Sequence, residues 1–145
     1  MKSSIFLLFT CATLLLSSCS SSKVSGHGAA PVTTRVAHLV SERPLDDYVI
    51  HSDIMTELQK RGYQVVDHKD AIPNSPVSGI LVRYMDKWKW DVVMYMQMLK
   101  ITVLDGSNSN LRGSAKYETY GFHTFPNPSK VILRLFSDMD KNKVL

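Results

Sequence analysis

This 145-residue sequence predicts an α+β fold: a two-layer sandwich with two helices on one face of a mostly antiparallel sheet of about five strands. Three observations carry that expectation. Residues 50–58 and 131–139 repeat apolar side chains at helical spacing, each giving one stripe to bury. Residues 79–120 show apolar runs, much of them at period two, separated only by short turns. Strands joined by short turns must pair antiparallel, because a parallel pairing needs a long crossover. One side of such a sheet can take both helices, and the order reads β-α-β-β-β-β-α.

Each element has its own local signal. Thr33 to Val40 is rich in β-branched residues and reads as the first strand. Pro44 and Asp46-Asp47 mark a turn and a helix start, with carboxylates at the positive end of the dipole. Ile50, Ile54 and Leu58, with Met55 beside them, give the helix its apolar face, and Lys60-Arg61-Gly62 stops it. Tyr63 to Asp67 is a short strand, and Ala71 to Ser78 is a loop punctuated by proline. Ile80, Val82, Tyr84 and Trp88 fall on one face of the next strand, with Arg83, Lys87 and Lys89 on the other. Val92 to Leu104 is a long strand, Asp105 to Asn110 a hairpin turn opened by Asp-Gly, and Leu111 to Tyr120 the returning strand. Asn127-Pro128 sets up the last helix, with a capping side chain followed by proline at the first helical position. Val131, Ile132, Leu135, Phe136 and Met139 form its stripe.

The N-terminal residues follow other rules. Lys2 opens a positive stretch, Ile5 to Leu16 is mostly apolar, and Leu16-Ser17-Ser18-Cys19 ends it, the pattern of a secretory signal peptide. Twelve residues of helix reach about 18 Å, short of the ~30 Å hydrocarbon core, so a removed signal is expected over a permanent span. Leu16-Ser17-Ser18-Cys19 resembles the lipobox of bacterial lipoproteins. That resemblance implies cleavage before Cys19, acyl chains of the palmitate type on its sulfur, and a membrane anchor. Two or three acyl chains hold tightly where one is marginal. Ser20 after the cysteine is similar to lipoproteins sorted to the outer membrane. The expected divisions are a signal at 1–18, a lipidated Cys19 with a flexible tether to 31, and a single periplasmic domain at 32–145. The tether expectation rests on the Ser/Gly bias and low hydrophobicity of Ser20 to Pro31.

Composition excludes several functions. Loss of Lys2 with the signal leaves 16 basic and 13 acidic side chains, a mild excess, and an exported chain does not meet nucleic acid. Anionic headgroups, glycans or an acidic protein patch are the available partners. Of the two cysteines, Cys11 leaves with the signal and Cys19 is the anchor, so no disulfide, thiol nucleophile or thiolate metal site is expected in the domain. The five histidines are scattered, with none at metal-ligand spacing, and there is no G-x-S-x-G elbow or glycine-rich phosphate loop. Neither a catalytic residue nor a cofactor is expected.

The most unusual stretch is Asp86-Lys87-Trp88-Lys89-Trp90-Asp91, which holds both tryptophans between acids and lysines. Either the rings plug the edge of the core, or Arg83, Lys87, Trp88, Lys89 and Trp90 form an aromatic and cationic contact patch. Met94, Met96 and Met98 alternate, as core fillers or as soft donors for Cu(I). The D-x-W-x-W-D pattern, with Tyr95 and the Pro128-x-x-Val131 lead-in to the final helix, is similar to an uncharacterised family of small proteobacterial lipoproteins. That likeness implies no activity. The expected function is a non-enzymatic, outer-membrane-anchored lipoprotein serving as a binding or structural component of an envelope assembly, with an envelope protein as partner. The alternative is a periplasmic binder of a glycan, a lipid or Cu(I).

Overall fold

The computed structural model describes residues 20–27, 33–43, 48–68, 72–73, 76–120 and 125–145. Cys19, the signal segment and the Asp46-Asp47 turn lie outside the described residues. The elements are β1 (Ser20–Gly26), β2 (Val36–Ser41), α1 (Tyr48–Lys60), β3 (Gln64–Asp67), β4 (Ile80–Asp91), β5 (Val93–Asp105), β6 (Leu111–Thr119) and α2 (Pro128–Lys141). The fold is α+β with one six-stranded sheet in the order β1-β6-β5-β4-β2-β3.

Both helices end where the chain dictates. Gly62 adopts φ 79° after α1, and the Tyr63 N–H returns to the Leu58 carbonyl at 3.2 Å, closing the last turn. Asn127 caps α2 by accepting from the Lys130 N–H at 3.1 Å, with Pro128 in the first turn. Ile50, Ile54 and Leu58 from α1 join Ile132, Leu135, Phe136 and Met139 from α2, all fully buried, in one core against Leu39, Val82, Leu99, Ile101 and Val103 of the sheet. The helices also grip each other. Arg61, at the end of α1, pairs with Asp140 at 2.9 Å and lies 4.9 Å over the Phe136 ring. Glu57 holds the same guanidinium at 2.6 Å.

The α+β class and the mostly antiparallel sheet of about five strands hold approximately, and three details are corrected. The order differs: the sheet gains a sixth strand, β1, and is mixed, because β2 pairs in parallel with both β3 and β4. The β2-α1-β3 unit supplies the crossover that a parallel pairing requires. The expected antiparallel meander is present as β4-β5-β6.

The second correction concerns the tether. Ser20–Gly26 is an edge strand, paired antiparallel along its whole length with β6 from Ser20↔Thr119 to Gly26↔Gly113. The ladder continues through the His27 N–H to the Arg112 carbonyl at 2.9 Å. Low hydrophobicity signals too little apolar surface for independent folding, but a backbone ladder against a preformed edge needs little. Val24 packs at the margin of the core and completes the layer.

The third is in β5. Lys87 faces Met98 and Trp88 faces Met96, so Gln97 is an extra, bulged residue. The bulge breaks the alternation and turns Met98 to the face opposite Met96. Met96 is fully buried and Met94 is exposed, so the three sulfurs do not share one environment.

Candidate functional site

Strand register places the charged residues. The face of the sheet away from the helices carries Lys23↔Lys116 between β1 and β6, and Lys100↔Lys116 between β5 and β6. Three lysines therefore stand in one row across three strands. Directly opposed side chains have Cβ atoms about 4.5–5.5 Å apart, and like charges at that spacing oppose the fold. One step along, Glu118 and Met98 lie beside Lys87. Glu118 reaches Lys116 at 2.6 Å. That hydrogen bond holds the Glu118 carboxyl below its usual range and raises the Lys116 ammonium. Among the described residues, neither Lys23 nor Lys100 stands in an ion pair. Arg83 shares this face but is bound to Glu42 at 2.9 Å.

The predicted contact patch is thus split. Arg83, Lys87 and Lys89 point to the basic face, whereas Trp88 and Trp90 point to the helix side. Trp88 is half-buried against the core, and its indole N–H donates to Asp86 Oδ2 at 2.6 Å, so it belongs to the packing. Trp90 lies beyond the reach of the helices and is 68% exposed. Lys23, Lys100 and Lys116 were not among the expected site residues. Lys100 and Lys116 stood at outward positions of recognised strands, but only the β1 pairing shows that Lys23 joins them.

The histidines are closer in space than in sequence. His38 Nδ1 and His68 Nε2 are 2.8 Å apart with their rings stacked, because parallel β2 and β3 carry them to the same end. On the other face, His51 of α1 meets the Tyr84 hydroxyl at 3.0 Å and Asp67 Oδ2 at 3.2 Å, tying the helix to the sheet. Among the described residues, no three His, Cys, Asp or Glu side chains converge as a metal cage would. Two open depressions, of about 210 and 220 Å³, are lined around Arg112 and Asp105 and between the helices around Lys60 and Ser129.

Partial burial, and then the neighbouring His68, lower the His38 pKa below its ordinary 6.5. The unfolded chain therefore takes up this proton first, and stability falls as pH drops below that ordinary value. The melting temperature of the wild type is expected to decline more steeply from about pH 7.5 to about pH 5.5 than that of His38→Gln. Equal slopes in a thermal melt series would remove His38 from this account.

No family model and no curated protein matches the chain. Solved structures do. A PelC dodecamer from Paraburkholderia phytofirmans, carrying a leucine-to-methionine substitution, superposes with a TM-score of 0.52 at 16% identity, over 86% of this chain and 96% of that one. A second PelC dodecamer from the same organism, in another crystal form, gives 0.51 at 15% identity over the same shares. A PDZ domain protein from Parabacteroides distasonis gives 0.44 at 10% identity, covering 78% of this chain and 32% of that one, and supports nothing further. At these identities the PelC likeness shows a shared fold.

Proposed function

We propose that this chain is a lipoprotein anchored through Cys19 in the outer membrane, whose domain faces the periplasm as a non-enzymatic binding or structural component of an envelope assembly. The observation that carries the binding role is the lysine row Lys23–Lys116–Lys100, self-repelling and, among the described residues, engaged in an ion pair by one acid, Glu118. A partner with an acidic surface relieves that repulsion on docking, which gives binding a driving force and a strong salt dependence. Lys87 and Lys89 extend the positive surface toward the β4–β5 turn.

The test is a double charge reversal, Lys23→Glu with Lys100→Glu, which turns both contacts with Lys116 attractive and leaves the Lys116–Glu118 pair in place, purified from membranes beside the wild type. The wild type is expected to carry envelope proteins that are released by about 0.5 M salt. The variant loses them while melting at the same temperature or higher, since two like-charge contacts are removed. Retention of the same proteins by the variant would discard the basic face as the contact. The solved PelC structures are dodecamers, so sizing both samples also reports whether the partner is another copy of the chain.

A further inference from the structure

We infer that the β4–β5 hairpin end is a second membrane-docking element, seated in the lipid surface beside the point where the N-terminal segment leaves the sheet. This deepens the anchored reading above and relies on it only for the presence of a bilayer.

Position comes first. Ser20 is level with Thr119, and Glu118 is level with Met98 and Lys87. Beyond that level the hairpin continues to the Trp90↔Met94 pair, four residues further along β5 and about 13 Å on. Strand β1 runs antiparallel to β6, as β5 does, so β1 and β5 run the same way. The chain therefore enters β1 from the hairpin end. The apolar run Ile5 to Leu16 is joined in sequence to the domain through Ser20, which stands at the hairpin end, whether Cys19 is acylated or the segment is retained.

Chemistry agrees with position. Trp90, Val92 and Met94 are each more than half exposed, and Val93 is 45% exposed. Tyr120, just past β6, and Phe125 are exposed as well, and Phe125 meets Tyr95 edge-on at the start of β5. Soluble surfaces seldom gather apolar groups in this way without a contact to make. The apex residue is Val92 at φ 60°, a backbone region that a β-branched side chain enters at a cost. Asparagine or glycine would serve there in water, whereas valine suits an apex that meets hydrocarbon. Tryptophan and tyrosine are favoured at the depth of the headgroups, and Lys87 and Lys89 just behind the tip can reach anionic phosphates. A second copy docked tip to tip would instead bring four such lysines together.

Trp90 makes the test direct, because the chain has only two tryptophans. The full chain is purified in detergent and reconstituted into phosphatidylethanolamine–phosphatidylglycerol vesicles with brominated acyl chains, beside Trp90→Phe, a conservative change at an exposed position. The wild type is expected to lose about half of its emission relative to vesicles without bromine, and Trp90→Phe almost none, since Trp88 is held in the domain. Equal quenching of the two proteins would overturn the inference. So would Trp90 emission shielded from aqueous acrylamide without bromine quenching, which would give the tip to another protein or a second copy. Palmitate labelling of the same preparations separates the two readings. A labelled chain with unquenched Trp90 refutes the hairpin and keeps the anchor; an unlabelled chain with quenched Trp90 refutes the acyl anchor and keeps the hairpin.

Discussion

A chain shortened to begin at residue 28 melts about 10 °C or more below one that begins at Ser20, and it self-associates. Removing β1 strips the outer ladder from β6 over seven paired positions and uncovers the edge of the core where Val24 sits. Gly26 also lies against Asn142 and Val144, so the C-terminal turn after α2 loses a wall. A loss of about 3 kcal/mol is expected from the missing pairing and burial, and each kcal/mol lowers the melting temperature of a domain this size by roughly 3–5 °C. The bared β6 then offers unpaired N–H and C=O groups to another chain. Thermal melts followed by circular dichroism, with sizing chromatography, check both effects. An unchanged melting temperature would mean that β1 adds nothing to the fold.

Gly79→Ala has an effect of similar size for a local reason. Gly79 precedes β4 at φ 84°, and a β-carbon there would stand 2.1 Å from the Val36 carbonyl oxygen. The obstacle is backbone, which cannot rotate aside, and it belongs to the strand beside β4. The Gly79 carbonyl also accepts from the Gly106 N–H at 2.9 Å, so displacing it disturbs the β5–β6 turn. A cost of about 3 kcal/mol or more is expected. Gly62→Ala is the matched control: it has a similar φ of 79° but open space around the added carbon, and should cost about 1 kcal/mol. Urea midpoints at constant slope measure both changes. Equal losses would show that backbone conformation alone, and not the Val36 contact, sets the cost.

Local signals were legible in the sequence wherever one residue determines its own neighbourhood. Gly62 ends α1, Asn127 begins α2, and the Asp105 turn joins β5 to β6, all as their chemistry requires. Pairings between distant segments were not legible. A serine-rich segment becomes β1 because β6 presents an open edge, and nothing within Ser20 to Gly26 encodes that. The His38–His68 contact depends on the parallel register of β2 with β3, and the separation of Met96 from Met98 on one bulged residue. The tryptophans illustrate the same division. Alternation puts Trp88 and Trp90 on one face, but only the extent of the helices makes the first a packing residue and the second a surface one. The lysine row stayed hidden because one of its members lies in β1.

The pairing of β1 with β6 also sets the order of assembly. Its partners are 87 to 99 positions apart in the chain, whereas the β4–β5–β6 meander closes over short turns. Ordering so long an intervening loop costs entropy before any contact returns it, so the outermost ladder forms late and slowly. During synthesis the N-terminal residues have nowhere to dock until β6 has emerged. Until then the segment Ser20–Gly26 stays unengaged, which is the condition in which a polypeptide can still be threaded through a narrow pore.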